Sequence, residues 1–201
     1  MEKNTHYYSK NVDNVESNPQ TFDFYYKNNH FVFKTDNGVF SKDYIDYGSF
    51  VMLNNFVPND IDLPILDMGS GYGAISVVLS KLLNRKFVGV EVNERAYNLS
   101  IENANKNNVD VDFYNGSIYE PIEELKFSSI ITNPPIRAGK EVVYGIFDGA
   151  YDHLVDGGEL WAVIQKKQGA PSAKDHLTEL FGNCEIVKRD RGYYILKSIK
   201  K

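Results

Sequence analysis

The sequence is poor in the residues that bind metals or form covalent cross-links. It contains a single cysteine, Cys184, so no internal disulfide can form, and this favours a reducing, cytoplasmic environment. The four histidines, His6, His30, His153 and His176, show no spacing typical of metal ligands. We therefore expect a protein that has neither a disulfide nor a metal site.

Long apolar runs and an excess of positive charge are missing as well. No stretch approaches the roughly 20 apolar residues that a membrane-spanning helix needs, and the polar N-terminus does not resemble a signal peptide. The net charge of -5 excludes binding to nucleic acids through overall charge, but it leaves room for a local basic face. With 42% hydrophobic and 24% charged residues, the composition predicts a soluble protein with one sizeable core and no membrane partner.

The first part of the chain indicates a short lead-in to the main domain. Residues 1–20 are polar, and we predict that they are mobile. In residues 21–60, the runs TFDFYY and HFVFKT flank KNN, which is typical of a β-hairpin, and DYGSFVMLNNF predicts a short amphipathic helix. Residues 61–201 then form the main domain, and we expect the whole chain to fold as one compact domain.

After Pro64 the pattern becomes a regular alternation of strands and helices. Predicted strands are PILDM, KFVGVEV, VDVDFYN, FSSIIT and GELWAVIQ, and the helix EVVYGIFDGAYDHL ends at Asp156-Gly157-Gly158. The final runs, CEIVKRD and YYILKSI, predict an antiparallel hairpin. The fold class is therefore α/β: a doubly wound, mostly parallel sheet of seven strands with this C-terminal antiparallel hairpin, preceded by the N-terminal β-hairpin and short helix.

The first strand of this alternation runs into a turn rich in glycine. In ILDMGSGYG, residues Gly69, Gly71 and Gly73 fall between a strand and a helix, where bare backbone can lie against a ligand. The spacing differs from the G-x-G-x-x-G of dinucleotide-binding folds, and Asp67 would repel a pyrophosphate there. A carboxylate at this point suits a cationic group, such as the ammonium of an amino acid. The alternative is an ordinary strand-to-helix turn.

Polar residues also follow the second and third predicted strands. Glu91 ends the second strand, where an acid can accept hydrogen bonds from both hydroxyls of a ribose, unless it is a solvated surface carboxylate. Asn115, Gly116 and Ser117 follow the third strand and could supply polar groups to the edge of an adenine. Because ligands of such sheets bind beyond the carboxyl ends of the strands, these residues and the glycine turn predict one shared site.

Four motifs together carry a family resemblance. In this order, LDMGSGYG, GVEVN, NGS and TNPPI resemble class I S-adenosylmethionine-dependent methyltransferases over residues 64–201. More specifically, GVFSKDYIDYGSFVML, AVIQKKQGAPSAKDHLTELFG and YYILKS are similar to the small methyltransferases related to bacterial ribosomal RNA small-subunit methyltransferase C. The resemblance implies a Rossmann-like methyltransferase sheet and S-adenosyl-L-methionine as cofactor. It also implies that Asp67 and the glycines hold the methionine part, Glu91 the ribose, and Ser117 with its neighbours the adenine.

The run SSIITNPPI ends a predicted strand at four residues that we expect to be catalytic: Asn133, Pro134, Pro135 and Ile136. A residue before proline is driven to an extended backbone, which fixes Asn133. The Asn133 side-chain oxygen and the Pro134 carbonyl, which we expect to have no competing local N–H, can accept the two N–H groups of an exocyclic amine. Ile136 would pack on the base, where many N-methyltransferases have an aromatic residue. The alternative is a plain loop turn, and we predict no general base.

The expected binding residues divide into two sets. Those for the cofactor are Asp67, Gly69, Ser70, Gly71, Gly73, Glu91, Val92, Asn115, Gly116, Ser117 and Asn133. Those for the substrate are basic side chains that could meet RNA phosphates or form scattered surface charge, namely Lys42, Arg137, Lys140, Lys166 and Lys167.

The function that these patterns favour is N-methylation of an exocyclic amine, with guanine N2 of ribosomal RNA as the acceptor and RNA or a ribosomal subunit as the partner. Alternatives are methylation of a protein glutamine amide or a small-molecule amine, and a non-catalytic module that binds S-adenosylmethionine or RNA. A NAD-dependent oxidoreductase is disfavoured by the glycine spacing and by Asp67.

Overall fold

The computed structural model describes residues 15–41 and 43–201. Of the segment 1–20 that we predicted to be mobile, residues 1–14 lie outside this description. Within residues 15–20, the Ser17 hydroxyl and the Asn18 backbone N–H both donate to the Asp36 carboxylate, at 2.7 and 2.6 Å. The first strand already begins at Gln20, so this end of the chain is tied to the fold.

The predicted N-terminal hairpin is confirmed. Strands β1 (Gln20–Tyr26) and β2 (Asn29–Thr35) pair antiparallel as a separate two-stranded sheet. The two-residue turn between them, Lys27-Asn28, has positive φ at both positions, 45° and 61°. Such a turn twists in the same sense as the strands it joins, which is why two-residue hairpins favour it.

The outer edge of β2 is attached to the main domain by two asparagine side chains of helix α3 (Glu94–Asn107). The Asn107 carboxamide exchanges hydrogen bonds with the backbone N–H and C=O of Val32, both at 2.9 Å. The Asn103 carboxamide does the same with Lys34, at 2.7 and 2.9 Å. The side chains thus replace a third strand, which leaves these edge groups satisfied and holds the hairpin on the helix.

The main sheet has seven strands in the order β5-β4-β3-β6-β7-β9-β8. Its first five strands along the chain pair in parallel, whereas β9 pairs antiparallel with both β7 and β8, so the predicted mixed sheet and terminal hairpin are confirmed. The bounds are β3 (Ile65–Met68), β4 (Phe87–Glu91), β5 (Val111–Asn115), β6 (Phe127–Thr132), β7 (Leu154–Gln165), β8 (Glu185–Asp190) and β9 (Tyr193–Ile199).

Helices cover both faces of this sheet. They are α1 (Tyr47–Asn55), α2 (Ala74–Leu83), α3, α4 (Lys140–His153) and α5 (Ala170–Phe181). Alternate residues of each buried strand enter different cores: Ile65 packs with α1, α2, α3 and the hairpin, whereas Leu66 packs with α4 and α5. The lead-in therefore shares a core with the main domain. Among the described residues, no helix is long and apolar enough to cross a bilayer.

Two predictions about elements are corrected by the structure. Helix α1 is not amphipathic, because three consecutive residues, Val51, Met52 and Leu53, are all buried, and the helix is enclosed between the sheet and α2. Helix α4 ends at His153, before the turn that we predicted to end it. Strand β7 begins there instead, and Gly157, with φ at +78°, lies in an irregular stretch of β7 where the pairing with β6 shifts register.

Candidate active site

A cavity lies over the carboxyl ends of the central parallel strands, and we call it the strand-end cavity. It lies at the switch point of the sheet, because β3 pairs with β4 on one side and with β6 on the other. It encloses about 960 Å³, including its open mouth. The predicted residues that line it are Gly69, Gly71, Glu91, Val92, Gly116, Ser117, Asn133, Pro134 and Pro135.

The glycine turn presents bare backbone to this cavity. Gly69 and Gly71 have φ of +76° and +56°, and a Cβ atom added to either would meet no described atom within 4 Å. Gly73 differs, because its Cβ would lie 3.2 Å from the Phe113 ring and 3.3 Å from Ser100. The prediction that Gly73 contacts a ligand is therefore replaced by a packing role at the start of α2.

Asp67 lies beneath this turn, at 1% exposure. Its Oδ2 accepts a hydrogen bond from the Ser76 backbone N–H at 3.1 Å, so the carboxyl group also supports the first turn of α2. Burial raises the pKa of Asp67 to about 7, against the hydrogen bonds from Ser76 that lower it. Asp67, Gly69, Ser70 and Asn133 all line a narrow pocket next to the strand-end cavity. The Ser70 hydroxyl has no hydrogen-bond partner among the described residues.

Glu91 ends β4 with its carboxylate held by backbone donors. Oε2 accepts from the Gly71 N–H and Oε1 from the Asn93 N–H, both at 2.8 Å. Burial raises the pKa of Glu91 above its usual value, although these backbone hydrogen bonds lower it. Because each carboxylate oxygen has two lone pairs, both oxygens can still accept from ligand hydroxyls. The alternative of a solvated surface carboxylate is excluded, since Glu91 is buried.

The end of β5 differs in part from the prediction. The Asn115 side chain does not line the strand-end cavity, because its Nδ2 donates to the backbone carbonyls of Glu91 and Val92 at 2.8 and 3.3 Å. It therefore holds β5 to the end of β4. Gly116 and Ser117 do line the cavity, and Ile118, which sequence reasoning missed, joins them with a φ of +48°.

The first turn of α1 holds the Asn133 side chain through two hydrogen bonds. Its Nδ2 donates to Asp46 Oδ1 at 3.0 Å and to Ser49 Oγ at 3.1 Å. Since the carboxamide is planar, its Oδ1 is on the side away from these two partners. Asn133 and Pro134 line both the strand-end cavity and a larger, more open cavity outside it, which we call the outer basin.

The prediction that the Pro134 carbonyl has no competing local N–H is wrong. The Ile136 backbone N–H donates to it at 2.9 Å. Pro135, with φ −74° and ψ 80°, forms the centre of the tight turn that produces this contact. A carbonyl oxygen has two lone pairs, so one remains for a ligand.

Comparison with known proteins identifies the family. A family model, the methyltransferase small domain, matches residues 30–197. The chain belongs to this family. It is an S-adenosylmethionine-dependent methyltransferase, and its cofactor is S-adenosyl-L-methionine.

Three relatives of this methyltransferase show how far the similarity extends, two by sequence and one by structure. The Bacillus subtilis (strain 168) protein YbxB, which is named as uncharacterized, is 46% identical over 198 residues and covers 97% of this chain and 98% of its own. Ribosomal RNA small subunit methyltransferase C of Erwinia tasmaniensis is 29% identical over 172 residues, which is 83% of this chain and 49% of that one. A T. thermophilus 16S rRNA N2 methyltransferase, solved with AdoMet and guanosine, matches with a TM-score of 0.80 at 24% identity, over 91% of this chain and 51% of that one. The chain thus spans about half the length of the methyltransferase C relatives that it matches.

The residues of the methyltransferase fit its cofactor. Open space above Gly69 and Gly71 allows a ligand to contact the backbone, and the buried Glu91 keeps acceptor capacity for hydroxyls. Apolar walls from Ile118 and Ile146 suit a flat heterocycle. Within residues 15–41 and 43–201, no group of three or more His, Cys, Asp or Glu side chains could hold a metal ion.

The outer basin contains side chains that sequence reasoning did not predict. Phe40, from the lead-in, lines both cavities and is 46% exposed. Tyr193 of β9 and Gln165 of β7 lie on the opposite side; the Gln165 Nε2 donates to the Tyr193 hydroxyl, whereas its Oε1 has no partner among the described residues. Ile136 lines the basin as predicted. An aromatic surface is thus supplied by distant parts of the chain, and the GVFS stretch of the lead-in was the available signal for Phe40.

The predicted basic residues are distributed unevenly around the basin. Arg137 lines it. Lys140 lies beside it, with its Nζ 4.7 Å from the centre of the Tyr144 ring. Lys166 and Lys167 are exposed on the short turn that follows β7 and do not line the basin. Lys42 lies outside the described residues.

Proposed function

We propose that this methyltransferase methylates the exocyclic amine of an RNA base, namely guanine N2 in ribosomal RNA. The observation that carries the proposal is the placement of Asn133 and Pro134 on the boundary between the strand-end cavity and the outer basin. A group bound in the basin must present its reacting atom to the cofactor across this boundary. Two oxygen acceptors there match the two N–H groups of a planar amine.

We call these two acceptors, Asn133 Oδ1 and the Pro134 carbonyl, the clamp. The proposed clamp addresses the main difficulty of this chemistry. The lone pair of an exocyclic amine is delocalised into the ring, so the nitrogen is a poor nucleophile. Asn133 Oδ1 and the remaining lone pair of the Pro134 carbonyl accept the two N–H groups and hold the nitrogen in one orientation. Orientation of this kind can account for several kcal/mol of a barrier. When bound, the cofactor supplies a methyl group on a sulfonium, which is a good leaving group.

The charges around the cofactor site support a cationic, ribose-containing ligand. We assign the ammonium of the methionine part to Asp67, which lies buried beside Gly69 in the narrow pocket. We assign the ribose hydroxyls to Glu91 and the adenine to the surface formed by Val92, Gly116 and Ser117. Gly69 and Gly71 allow the ligand to approach the backbone between these two carboxylates.

Several observations favour a guanine in RNA as the acceptor. Phe40 and Ile136 offer apolar surface to a base, and Arg137 offers a cation to a phosphate. The Gln165 Oε1 has no hydrogen-bond partner within the described part of the chain, and guanine places an N1–H donor directly beside its N2 amine. The relatives named above include enzymes for ribosomal RNA, and one of them was solved with guanosine.

The experiment that tests this proposal offers several acceptors in parallel. Isotope-labelled S-adenosylmethionine is incubated with the enzyme and naked ribosomal RNA, small ribosomal subunits, large subunits, or ribosome-free cell protein. We expect label in RNA, in one of the first three reactions. Label only in protein would overturn the RNA assignment and favour the glutamine-amide alternative, whereas binding without transfer to any acceptor would favour a non-catalytic module.

A further inference from the structure

We propose that Asp46 and Ser49, in the first turn of α1, are positioning residues that set the orientation of the Asn133 carboxamide. The inference rests on the proposed clamp, because it explains why Asn133 presents an oxygen to the acceptor amine. It gives the lead-in segment a role in turnover, beyond its contribution to the core.

The contacts around Asp46 define the orientation. Asp46 Oδ1 accepts from the backbone N–H of Gly48 at 3.0 Å and of Ser49 at 3.2 Å, which makes Asp46 the N-cap of α1. The same oxygen accepts from Asn133 Nδ2 at 3.0 Å. An ionised carboxylate accepts hydrogen bonds and donates none, so the amide nitrogen of Asn133 must be the atom that faces it.

Ser49 adds a second acceptor for the same nitrogen, with Oγ at 3.1 Å from Asn133 Nδ2. Two acceptors for the two amide hydrogens leave the Asn133 nitrogen fully engaged. A carboxamide rotated by half a turn would place its oxygen against the Asp46 carboxylate and its N–H groups against the acceptor amine. Both contacts would be unfavourable, so the first turn of α1 selects one of the two orientations.

Gly48 is what allows this close approach. A Cβ atom at this position would lie 3.0 Å from the Tyr193 ring, 3.1 Å from Asp46 Oδ1 and 3.3 Å from Asn133 Nδ2. Any larger residue would therefore push the helix end away from Asn133 or from β9. This packing is independent of the hydrogen bonds and identifies the same three-way contact between α1, β9 and the end of β6.

Ser49→Ala separates positioning from helix capping, because the Ser49 hydroxyl makes the Asn133 contact whereas its backbone N–H makes the cap contact. We expect kcat to fall by about 3- to 10-fold, as for loss of one hydrogen bond, with cofactor Kd and the KM for RNA little changed. Asp46→Ala should cost more, and Asp46→Asn should recover part of the loss, because asparagine keeps an acceptor oxygen and caps helices as well as aspartate does.

Tyr26→Phe is the matched control within the lead-in. The Tyr26 hydroxyl donates to the Leu53 carbonyl at 3.0 Å, at the opposite end of α1 from Asn133. Its removal weakens the packing of α1 but leaves the Asn133 contacts in place. We therefore expect a lower melting temperature and a normal kcat. A fall in kcat equal to that of Ser49→Ala would show that α1 matters only through stability.

A double-mutant cycle then tests whether the effect passes through Asn133. If Asp46 and Ser49 act on this side chain, neither Asp46→Ala nor Ser49→Ala should lower kcat further in an Asn133→Ala background. Full, additive losses in that background would overturn the proposal.

Amide proton exchange gives a readout that does not depend on the identity of the substrate. In the free enzyme, the Asn133 side-chain NH₂ signals, assigned by their absence in Asn133→Ala, should exchange at least tenfold more slowly than in Ser49→Ala or Asp46→Asn, because local hydrogen bonds protect them. Equal exchange rates in all three proteins would overturn the positioning role even if RNA is methylated. Slow exchange without RNA methylation would leave the positioning role intact and remove the proposed function instead.

Discussion

The two halves of the proposed active site are built in different ways. The proposed cofactor half comes mainly from the ends of β3, β4 and β5, where each functional group lies within a few residues of a strand end and is held by backbone groups, as Glu91 is by Gly71 and Asn93. The acceptor half combines the end of β6 with the lead-in, β7 and β9, so that Asp46, Asn133 and Tyr193 meet from distant points of the chain.

The difference separates groups for a cofactor that many enzymes share from groups for one particular acceptor. In the proposed cofactor half, the bare backbone of the glycine turn and the carboxylates at the ends of β3 and β4 supply the polar groups, and backbone N–H groups hold both carboxylates. The acceptor half depends on side chains brought together by the tertiary fold. Changes in the cofactor half should therefore act on cofactor affinity, and changes in the acceptor half should act on turnover.

The largest expected effect is that of Asn133→Ala on turnover. Loss of one preorganised acceptor should lower kcat by about 10²-fold or more at saturating cofactor. Cofactor Kd should change much less, since Asn133 lies at the edge of the strand-end cavity. Steady-state kinetics and calorimetry measure the two quantities, and circular dichroism checks folding. Asn54→Ala, an exposed asparagine of the same helix that supports Asn133, is the control and should leave both quantities unchanged. Wild-type turnover in Asn133→Ala would contradict the proposed clamp.

Gly71→Val should act on the other half. A β-branched residue at a φ of +56° is strained, and its side chain would extend into the open space over the turn. We expect cofactor Kd to rise by about 10- to 100-fold, because the valine side chain would occupy space over the turn that the ligand needs, whereas backbone strain alone lowers stability. The matched control is Gly182→Val, at a φ of +71° and also without described atoms near the added Cβ, but at the end of α5. If both variants bind the cofactor normally, the glycine turn is only structural.

Glu91→Ala should raise the cofactor Kd by about tenfold or more, because hydrogen bonds to a charged group are lost. The same change also removes the acceptor for the Gly71 N–H, so Glu91→Gln is the informative partner: glutamine keeps one acceptor oxygen and should bind with intermediate affinity. Calorimetry on both variants measures this order. An unchanged Kd in Glu91→Ala would place the ribose elsewhere.

Asp67 should make cofactor affinity depend on pH, and this is the smallest expected effect. Its pKa is raised to about 7, so the free enzyme carries a largely protonated Asp67 at pH 6 and a largely ionised one at pH 8. If the ionised form binds the ammonium, affinity should rise with pH by about tenfold between these values, and binding at pH 6 should release a proton. Calorimetry in buffers of different ionisation enthalpy measures that release.

Two further results complete the test of Asp67. Asp67→Asn should make cofactor affinity nearly independent of pH between 6 and 8. In the cofactor-free protein, the raised pKa of Asp67 makes stability change with pH in the opposite direction to cofactor affinity. The reason is that the folded state binds the Asp67 proton more tightly than the unfolded state does. The contribution of Asp67 to the free energy of unfolding, measured as the difference between wild type and Asp67→Asn, should therefore fall as pH rises from about 4 to about 7. A pH-independent affinity in the wild type would remove Asp67 from the ligand contacts.

The sequence predicted the sheet correctly, because strand-helix alternation is a local signal. Strand-helix alternation and the position of each motif after a strand placed Gly69, Gly71 and Glu91 correctly around one cavity. Two predicted residues differ because of tertiary contacts that the sequence does not state: Gly73 packs against Phe113, and the Asn115 side chain donates to backbone carbonyls of β4 and the residue after it.

In the proposed acceptor half, the predicted residues that line the outer basin are Asn133, Pro134, Ile136 and Arg137. Nothing in the sequence states that the N-cap of α1 reaches the end of β6, or that Gln165 of β7 lies opposite Tyr193 of β9. The first contact exists because the lead-in packs into the core beside α2 and the sheet, and the second because β9 pairs with β7. Phe40, almost a hundred residues before Ile136 in the chain, lines the same basin as Ile136, and the sequence alone did not predict this.

The central claim is that the methyl group reaches an exocyclic base nitrogen held at Asn133. The most direct measurement is mass analysis of nucleosides from RNA that the enzyme has methylated with isotope-labelled S-adenosylmethionine. The account predicts labelled N2-methylguanosine as the product and its formation at a rate lower by about 10²-fold or more with Asn133→Ala. A labelled methyl group on a ring carbon or on a ribose hydroxyl would contradict the account, because neither acceptor needs the two oxygens that Asn133 and Pro134 present.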